Sequence, residues 1–378
     1  MAMATFMSYL NIEGDSVVTG PVPLDPFLPN SANLFPKMIN RINDSAWELW
    51  EFDAFSSDGE TAVSVSFYRD ARGIKEGGFH VDLNAIWPDG SKWGEELYFP
   101  ESIITAEADL SSATVQFSVP ERVNGTIELS SQGNGRESRL PGTEDSAKLG
   151  PAVYYMFPMG PADAKADLAF GVDDENGVVY ERKLLVHADN GARGSMVRGW
   201  SAVAWPGIMT DAYYLSAVAG PYMLQLIRIV SSAATDFTPY VVARLYRNEK
   251  LLCAAQQLVD AQSSKNGVLA ADAVVVEKVL EGDRGLTGAF RDKNRGYVVE
   301  FVEGAKGGMR EEGKRWRFET SHKLAWWSEP TSAPGPQGTG KSGFIEAVFG
   351  GSGRHRFGDS DGEMTFEGAG VAGQLQLQ

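Results

Sequence analysis

The sequence predicts an all-β protein, because apolar and polar residues alternate with a period of two and no long stretch follows helical spacing. The alternation is clearest at residues 63–68 (VSVSFY) and 79–85 (FHVDLNA), which predict half-buried strands. Turn-forming sequences separate such runs, as at residues 87–90 (WPDG), 124–125 (NG) and 291–296 (RDKNRG). This spacing is typical of β-hairpins and not of strands joined by crossover helices.

The length of 378 residues predicts two domains, since it exceeds what one hydrophobic core usually organises. A polar, glycine-rich stretch at residues 189–194 (DNGARG) interrupts the alternation and predicts a boundary near residue 190. We therefore expect an N-terminal domain of residues 1–190 and a C-terminal domain of residues 191–378. Residues 130–143 and 329–340 are rich in Ser, Gly or Pro and predict long loops.

The composition of the chain indicates its cellular compartment and limits the classes of molecule that it is expected to bind. Cys253 is the single cysteine, so no internal disulfide is possible and a reducing compartment is expected. Residues 1–14 lack the basic and apolar segments of a secretory signal, which favours a cytoplasmic protein. The most apolar stretch, 213–230, contains Gln225 and Arg228 and predicts no transmembrane helix. A formal net charge of -16 argues against nucleic acid and membrane partners.

Aromatic residues are abundant, with 9 Trp, 12 Tyr and 19 Phe. Such side chains supply rigid apolar walls. They serve equally well in a hydrophobic core and in a cleft for an apolar ligand, so composition alone leaves both uses open.

Residues 335–342 (GPQGTGKS) match the phosphate-binding P-loop pattern, but their context argues against an NTPase. A P-loop needs a buried strand before it and a helix after it, whose N-terminus holds the phosphates. Here the preceding residues, 328–334, are rich in Pro and Ser, and the following residues, 344–351, have a β-like pattern ending in two glycines. We expect no nucleotide site here.

The sequence also lacks the motifs that mark metal sites and other common classes of catalytic site. The histidines are scattered without metal-ligand spacing: His80, His187, His322 and His355. The chain also lacks a G-x-S-x-G nucleophile motif and a dinucleotide-binding G-x-G-x-x-G between a strand and a helix.

Several longer blocks, in order along nearly the whole chain, resemble fungal decalin-forming Diels-Alderases. In the N-terminal half they are residues 31–37 (SANLFPK), 47–53 (WELWEFD), 68–73 (YRDARG) and 84–90 (NAIWPDG). In the C-terminal half they are residues 154–160 (YYMFPMG), 196–200 (MVRGW), 211–214 (DAYY), 327–332 (WSEPTS) and 338–343 (GTGKSG). One departure is visible: between Tyr98 and Val119 this chain is shorter than the resemblance implies, by about one hairpin.

The resemblance implies an N-terminal β-sandwich and a C-terminal lipocalin-like β-barrel that hold the substrate between them. It implies no metal, nucleotide or redox cofactor. The implied reaction is an intramolecular [4+2] cyclisation of a linear polyenoyl tetramic acid to a decalin. Such substrates are made by a polyketide synthase–peptide synthetase, so a functional link to one is expected.

The resemblance also implies site residues. Lys341 is expected to donate a hydrogen bond to the carbonyl conjugated with the dienophile, and Glu51 and Asn84 are expected to bind the tetramic acid. The remaining implied substrate contacts are Asp53, Tyr68, Asp82, Tyr155, Trp205, Tyr214 and Trp327. Asp82 stands where the resemblance implies the longer Glu. The alternatives are a solvated Lys341, polar strand faces that meet solvent, and aromatic residues that belong to the core.

Two other functions fit the same sequence. A lipocalin-like carrier would store an apolar metabolite without changing it. A polyene hydratase or isomerase would need a positioned acid, for which Glu51 or Asp53 with a raised pKa is the candidate.

Overall fold

The computed structural model describes residues 5–11, 17–38, 41–76, 78–99, 101–107, 110–131, 140–173, 177–261, 269–280, 294–305, 314–330, 340–353 and 366–377. The chain forms two compact units, Met1–Ala204 and Trp205–Gln378. Each is built almost entirely of antiparallel strands, as the period-two pattern predicted. Among the described helices, none has the length and apolar character needed to cross a membrane.

The elements of the first unit follow the predicted alternation. They are β1 Thr5–Asn11, β2 Trp47–Phe55, β3 Ala62–Asp70, α1 Ala71–Lys75, β4 Phe79–Ile86, β5 Lys92–Phe99, β6 Glu101–Glu107, β7 Ser112–Val119, β8 Val123–Ser130, β9 Lys148–Gly150, β10 Val153–Asp173, β11 Val179–Val186 and β12 Arg193–Ser201. Hydrogen bonds order them as β1-β6-β7-β8-β10-β12-β2-β3-β4-β5, with β9 and β11 also paired to β10. The stretch between Tyr98 and Val119 carries β6 and β7, so the sheet continues through it.

The sheet bends so that two parts of the same face pack against each other, and this packing forms the core of a sandwich. Phe67 on β3 stacks on Phe117 on β7, with 6.2 Å between ring centroids, although these two strands are not hydrogen-bonded neighbours. Phe170 on β10 likewise contacts the rings of Trp87 and Trp93. Because side chains alternate along each strand, the residues between these core positions point to the opposite face.

A buried ion cluster fixes the segment before β2 to this core. Glu48 on β2 is fully buried and accepts hydrogen bonds from Arg69 on β3 and Arg198 on β12. The same carboxylate accepts the backbone N–H groups of Lys37 and Met38, at 2.8 and 3.1 Å. The blocks at residues 31–37, 47–53, 68–73 and 196–200 therefore meet at one carboxylate.

The first unit ends later than the predicted boundary near residue 190. Strand β12 pairs with β10 on one side and β2 on the other, so it lies in the middle of the first sheet. Residues 188–190 form a single 3₁₀ turn, and Gly191 has the left-handed φ of 75°. The polar, glycine-rich stretch is thus a connection within the first unit and not a linker between domains.

The predicted turn at residues 124–125 is wrong. Both residues lie inside β8, and the hairpin turn comes earlier, at Glu121, whose φ is 60°. Gly125 serves another purpose, because a Cβ built on it would lie 2.0 Å from the backbone oxygen of Asp167 on β10. The predicted turn at 87–90 does connect β4 to β5. Residues 291–293 lie outside the described part of the chain.

The second unit is a nearly closed barrel. Its elements are α2 Trp205–Ile208, β13 Met209–Ala219, β14 Tyr222–Ser231, β15 Pro239–Arg247, β16 Lys250–Ala255, β17 Gln257–Leu258, β18 Ala273–Leu280, β19 Asn294–Val302, β20 Arg315–Pro330, β21 Gly340–Gly353 and β22 Phe366–Gln376. The strand order is β16-β15-β14-β13-β22-β21-β20-β19-β18-β17. The all-β class, with a sandwich followed by a lipocalin-like barrel, is confirmed.

Aromatic side chains from opposite walls meet inside the barrel. Tyr213 on β13 stacks on Tyr297 on β19 at 3.6 Å between centroids, and Tyr222 on β14 contacts Phe318 on β20 at 5.7 Å. Three strands separate the members of each pair in the sheet, so these contacts cross the lumen. The lumen is therefore packed by side chains where these rings meet.

A carboxylate links the edge strand β16 to residues that flank β18 and β19. Asp272, just before β18, accepts the backbone N–H of Ala254 on β16 at 2.8 Å and that of Gly304 at 2.9 Å. The Cys253 thiol, next to Ala254, donates to the backbone oxygen of Val302 on β19. Asp272 thus holds β16 close to β18 and β19, strands with which β16 shares no backbone ladder in the described residues.

The P-loop-like sequence does not have the structure of a nucleotide site where the chain is described. Gly340, Lys341 and Ser342 begin strand β21, whereas a P-loop requires a helix at that point. Residues 328–330, which were predicted to be irregular, form the end of β20. Residues 331–339 lie outside the described residues.

Candidate active site

The face of the first sheet opposite its core carries three rows of mostly polar side chains across β2, β3 and β4. Directly paired residues lie side by side on the same face. The rows are Leu49–Tyr68–His80, Glu51–Ser66–Asp82 and Asp53–Ser64–Asn84. We call this surface the polar face.

The polar face brings together six of the predicted site residues. They are Glu51, Asp53, Tyr68, Asp82, Asn84 and Tyr155. Tyr155 on β10 joins the first row because it pairs with Gly199, which pairs with Leu49. Gly199 leaves room for its ring, since a Cβ there would lie 3.3 Å from Cδ2 of Tyr155. Asp53 and Tyr155 are buried, while Glu51, Tyr68, Asp82 and Asn84 are half-buried.

Glu51 is the acid of this face. Burial raises its pKa well above the usual value, and the negative charges of Asp53 and Asp82 raise it further. Burial and nearby carboxylates also raise the pKa of Tyr68 and of Tyr155 well above 10. The raised pKa favours the protonated form of Glu51, and Tyr68 and Tyr155 keep their protons at neutral pH, so the polar face offers hydrogen-bond donors to an oxygen-rich ligand.

His80 anchors one end of the polar face. Its Nε2 lies 2.8 Å from Oδ1 of Asp82, and its ring stacks between those of Tyr68 and Tyr98 at 5.3 and 5.8 Å. Burial and the charge of Arg72 lower the pKa of His80, but hydrogen bonds to Asp70 and Asp82 outweigh both and raise the pKa to about 9. His80 therefore carries a proton at neutral pH and holds Asp82 in place.

His80, Asp82 and Glu96 have the donor atoms and the proximity of a metal-binding triad. The guanidinium of Arg72 lies among them, however. Its Nη2 is 2.6 and 2.7 Å from the two ring nitrogens of His80, and its Nη1 is 2.9 Å from Oε2 of Glu96. A cation is thus already in place, and the cluster fits an ion network better than a metal centre.

The second unit brings together three more of the predicted residues, on the outer face of the barrel. Phe344 and Val348 of β21 point into the lumen, so the alternate positions Lys341 and Gly343 point outward. One row on this outer face is Tyr214–Gly373–Gly343–Trp327, across β13, β22, β21 and β20. We call this row the aromatic row.

Lys341 lies two residues along β21 from Gly343, at the next outward-facing position beside the aromatic row. It pairs with Leu375, and its Nζ is 5.7 Å from the centroid of the Trp327 ring. Lys341, Trp327 and Tyr214 are all half-buried. A cationic donor beside apolar rings can polarise a carbonyl whose hydrocarbon part rests on those rings.

Trp205 is the one predicted residue on neither face. It begins α2, directly before β13, and is half-buried. The structure assigns it no common row with Tyr214.

Sequence reasoning missed two residues in these surfaces. Alternation already placed His80 on one strand face with Asp82 and Asn84, but His80 was not counted among the site residues. Glu96 comes to this cluster through pairing of β5 with β4. The sequence around Glu96 gives no indication of the register in which β5 pairs with β4.

Comparison with known proteins assigns the family. A family model described as Diels-Alderase-like matches residues 3–109 and 104–378. This chain belongs to the Diels-Alderase-like family. Diels-Alderase gNR600 of Fungal sp. (strain NRRL 50135) is 55% identical over 418 residues, which cover 99% of this chain and 98% of that protein. Diels-Alderase phm7 of Pyrenochaetopsis sp is 42% identical over 403 residues, covering 100% and 99%.

A solved structure agrees with this assignment. The crystal structure of CghA with Sch210972 has a TM-score of 0.84 to this chain at 33% identity, and the match covers 99% of both chains. Diels-Alderase cghA of Chaetomium globosum is itself among the relatives, at 34% identity over 413 residues. The resemblance seen in the sequence blocks is confirmed, and the chain is an enzyme with Diels-Alderase activity acting on a small molecule.

Proposed function

We propose that this Diels-Alderase folds a linear polyenoyl tetramic acid and closes it to a decalin by an intramolecular [4+2] cyclisation. Lys341, with its ammonium group beside the indole of Trp327, carries the proposal. In the reaction the diene and the alkene exchange π bonds for two carbon–carbon σ bonds, and no proton or leaving group moves. The protein can then contribute through positioning and through hydrogen bonds that lower the barrier.

In this proposal Lys341 donates to the carbonyl conjugated with the dienophile, which withdraws electrons from the alkene. A charge-assisted hydrogen bond contributes about 1.5–3 kcal/mol. The flat rings of Tyr214 and Trp327 would support the hydrocarbon chain in one folded conformation. Fixing each rotatable bond of the chain costs about 0.5–1.5 kcal/mol of conformational free energy, by analogy with side chains that become ordered on binding.

The polar face suits the tetramic acid. Glu51, with its raised pKa, and the amide of Asn84 would donate to the ring oxygens, while Asp53, Tyr68 and Asp82 would define the orientation of the ring. We further propose that a polyketide synthase–peptide synthetase supplies this acyl tetramic acid, because such an assembly joins a polyene to an amino acid.

The test is incubation of the purified protein with a synthetic linear polyenoyl tetramic acid, followed by chiral chromatography and mass spectrometry. Acceleration over the spontaneous reaction, with one decalin diastereomer favoured, is expected. A carrier would leave the rate unchanged or slow it. The carrier function is also disfavoured by the rings of Tyr213 and Tyr297, which stack inside the lumen where a lipocalin binds its ligand.

The raised pKa of Glu51 favours one second candidate, an acid-assisted hydration or isomerisation of a polyene. That reaction would transfer a proton to carbon. Running the incubation in deuterium oxide separates the two functions: deuterium in the carbon skeleton of the product would support the second candidate, and its absence would support the cyclisation.

A further inference from the structure

Gly373, in the middle of the aromatic row, has open space where a side chain would stand. A Cβ built on Gly373 would find its nearest heavy atom, the backbone oxygen of Ser342, 3.9 Å away, which is ordinary van der Waals contact. The residue lies within β22, bonded on both sides to β13 and β21, and is half-buried. The fold therefore has room for a side chain at this position.

Other strand glycines facing these surfaces are different, because protein atoms already fill their space. A Cβ on Gly343 would lie 2.1 Å from Nε1 of Trp327, so packing requires that glycine. A Cβ on Gly94 would lie 2.6 Å from Oδ1 of Asn84, and Gly199 makes room for Tyr155.

A glycine inside a strand weakens the strand, and a frequent reason for one is the close approach of a ligand. At Gly373 no atom of the described residues explains the missing side chain. What borders the open position is a tyrosine on one side and a tryptophan beyond Gly343 on the other. Three strand spacings, or about 14 Å, separate the backbones of Tyr214 and Trp327, and the Trp327 ring covers the part of this span above Gly343.

We propose that Gly373 is a specificity-determining residue, which leaves the space between Tyr214 and the Trp327 ring free for the hydrocarbon chain of the substrate. This inference rests on the proposed function, and it identifies the hydrocarbon chain as the part of the substrate that lies over Gly373. Lys341 is two residues from Gly343 along β21, or about 7 Å. A chain lying over Gly373, beside the Trp327 ring, therefore has its conjugated carbonyl within reach of the Lys341 ammonium.

The test compares Gly373→Ala and Gly373→Val with the wild-type protein, using the linear polyenoyl tetramic acid as probe. Binding is followed by isothermal titration calorimetry, and turnover by product analysis. Both variants are expected to melt at or above the wild-type temperature, because the site accepts a Cβ and strands favour branched side chains. Gly373→Val is expected to weaken binding at least tenfold and to change the diastereomer ratio, with Gly373→Ala between it and wild type.

Ala347→Val is the matched control. Ala347 lies on the same outer face of β21, two rows from Gly343, and is half-buried. The Ala347→Val substitution adds a similar volume outside the aromatic row, so its affinity for the probe is expected to equal that of the wild type. The inference is overturned if Gly373→Val binds and converts the probe as wild type does. Wild-type protein that binds but does not cyclise the probe overturns the proposed function and leaves the binding comparison to decide the role of Gly373. A wild-type protein that does not bind the probe overturns both.

Discussion

Glu48 and Arg69 form a fully buried ion pair, with 3.1 Å between Oε1 and Nη1. Arg198 pairs with the other carboxylate oxygen of Glu48 at 2.5 Å and also donates to the backbone oxygen of Asn33. These three side chains come from β2, β3 and β12, and the bonds to the backbone reach the segment before β2. The sequence blocks that resemble the family in this region thus meet at a structural centre on the core side of the sheet, opposite the polar face.

Glu48→Gln is expected to destabilise the first unit by about 3–5 kcal/mol, because breaking a buried ion pair leaves the arginines without a counter-charge. The free energy of unfolding, from urea titration, measures this. Glu95→Gln is the control, since it removes only the exposed pair with Arg122, for which about 0–1 kcal/mol is expected. Equal losses in both variants would contradict a special role for Glu48.

Lys341→Met is expected to slow cyclisation of the linear polyenoyl tetramic acid by roughly 10- to 100-fold, the equivalent of losing one charge-assisted hydrogen bond. Methionine keeps most of the apolar stem beside Trp327, so the fold is expected to be unchanged. Single-turnover rates and circular dichroism measure the two effects. Lys323→Met, on an exposed residue of β20, serves as control. A Lys341→Met enzyme with the wild-type rate and diastereomer ratio would show that the ammonium is not used.

The protonated form of Glu51 is expected to be the active one, so activity should fall as pH rises through its raised pKa. The carboxyl group donates a hydrogen bond only while it holds its proton. Glu51→Gln keeps a donor and cannot ionise, so it should retain activity within about tenfold and lose this alkaline decline. The pH profile of kcat/KM measures it; the same decline in the Gln variant would assign the titration to another group.

His80 is expected to make stability depend on pH. Its folded pKa of about 9 lies above the ordinary 6.5, so its contribution is complete below pH 6.5 and is lost as pH rises through 9. The difference corresponds to about 3 kcal/mol. Around the imidazole lie Asp70 at the end of β3, Arg72 in α1 and Asp82 on β4. Tyr68, Glu96 and Tyr98 face it from the flanking strands β3 and β5.

Unfolding free energies of wild type and His80→Gln between pH 6 and pH 10 test this expectation. The gap between the two proteins should narrow by about 3 kcal/mol over that range. Parallel curves would show that His80 does not hold its proton in the folded state.

The alternation of residues predicted the strands well, because one buried face imposes a period of two. Residues 63–68 lie in β3 and residues 79–85 in β4, as expected. The domain boundary was misplaced because a polar, glycine-rich segment is equally suited to a linker and to a connection inside a sheet. Gly125 misled for a related reason: glycine marks a turn in some places and a close backbone approach in others.

The candidate site was predictable in part. Alternation places Glu51 with Asp53, and Asp82 with Asn84, each pair on one side of its strand. That β3 lies between these strands, with Ser64 and Ser66 completing the rows, depends on strand pairing. Register between distant segments leaves no local mark in a sequence, and the open position at Gly373 likewise appears only when β22 is seen between β13 and β21.

Cys253, beside the Asp272 bridge, gives this barrel a built-in reporter. The thiol is buried, burial raises its pKa, and the nearby charge of Asp272 raises it further. As the chain has one cysteine, a maleimide can label it only when the join between β16 and β19 separates. The rate at which maleimide labels the wild-type enzyme therefore reports how often the barrel opens at this place. Comparing the labelling rates with and without substrate shows whether bound substrate makes this opening less frequent.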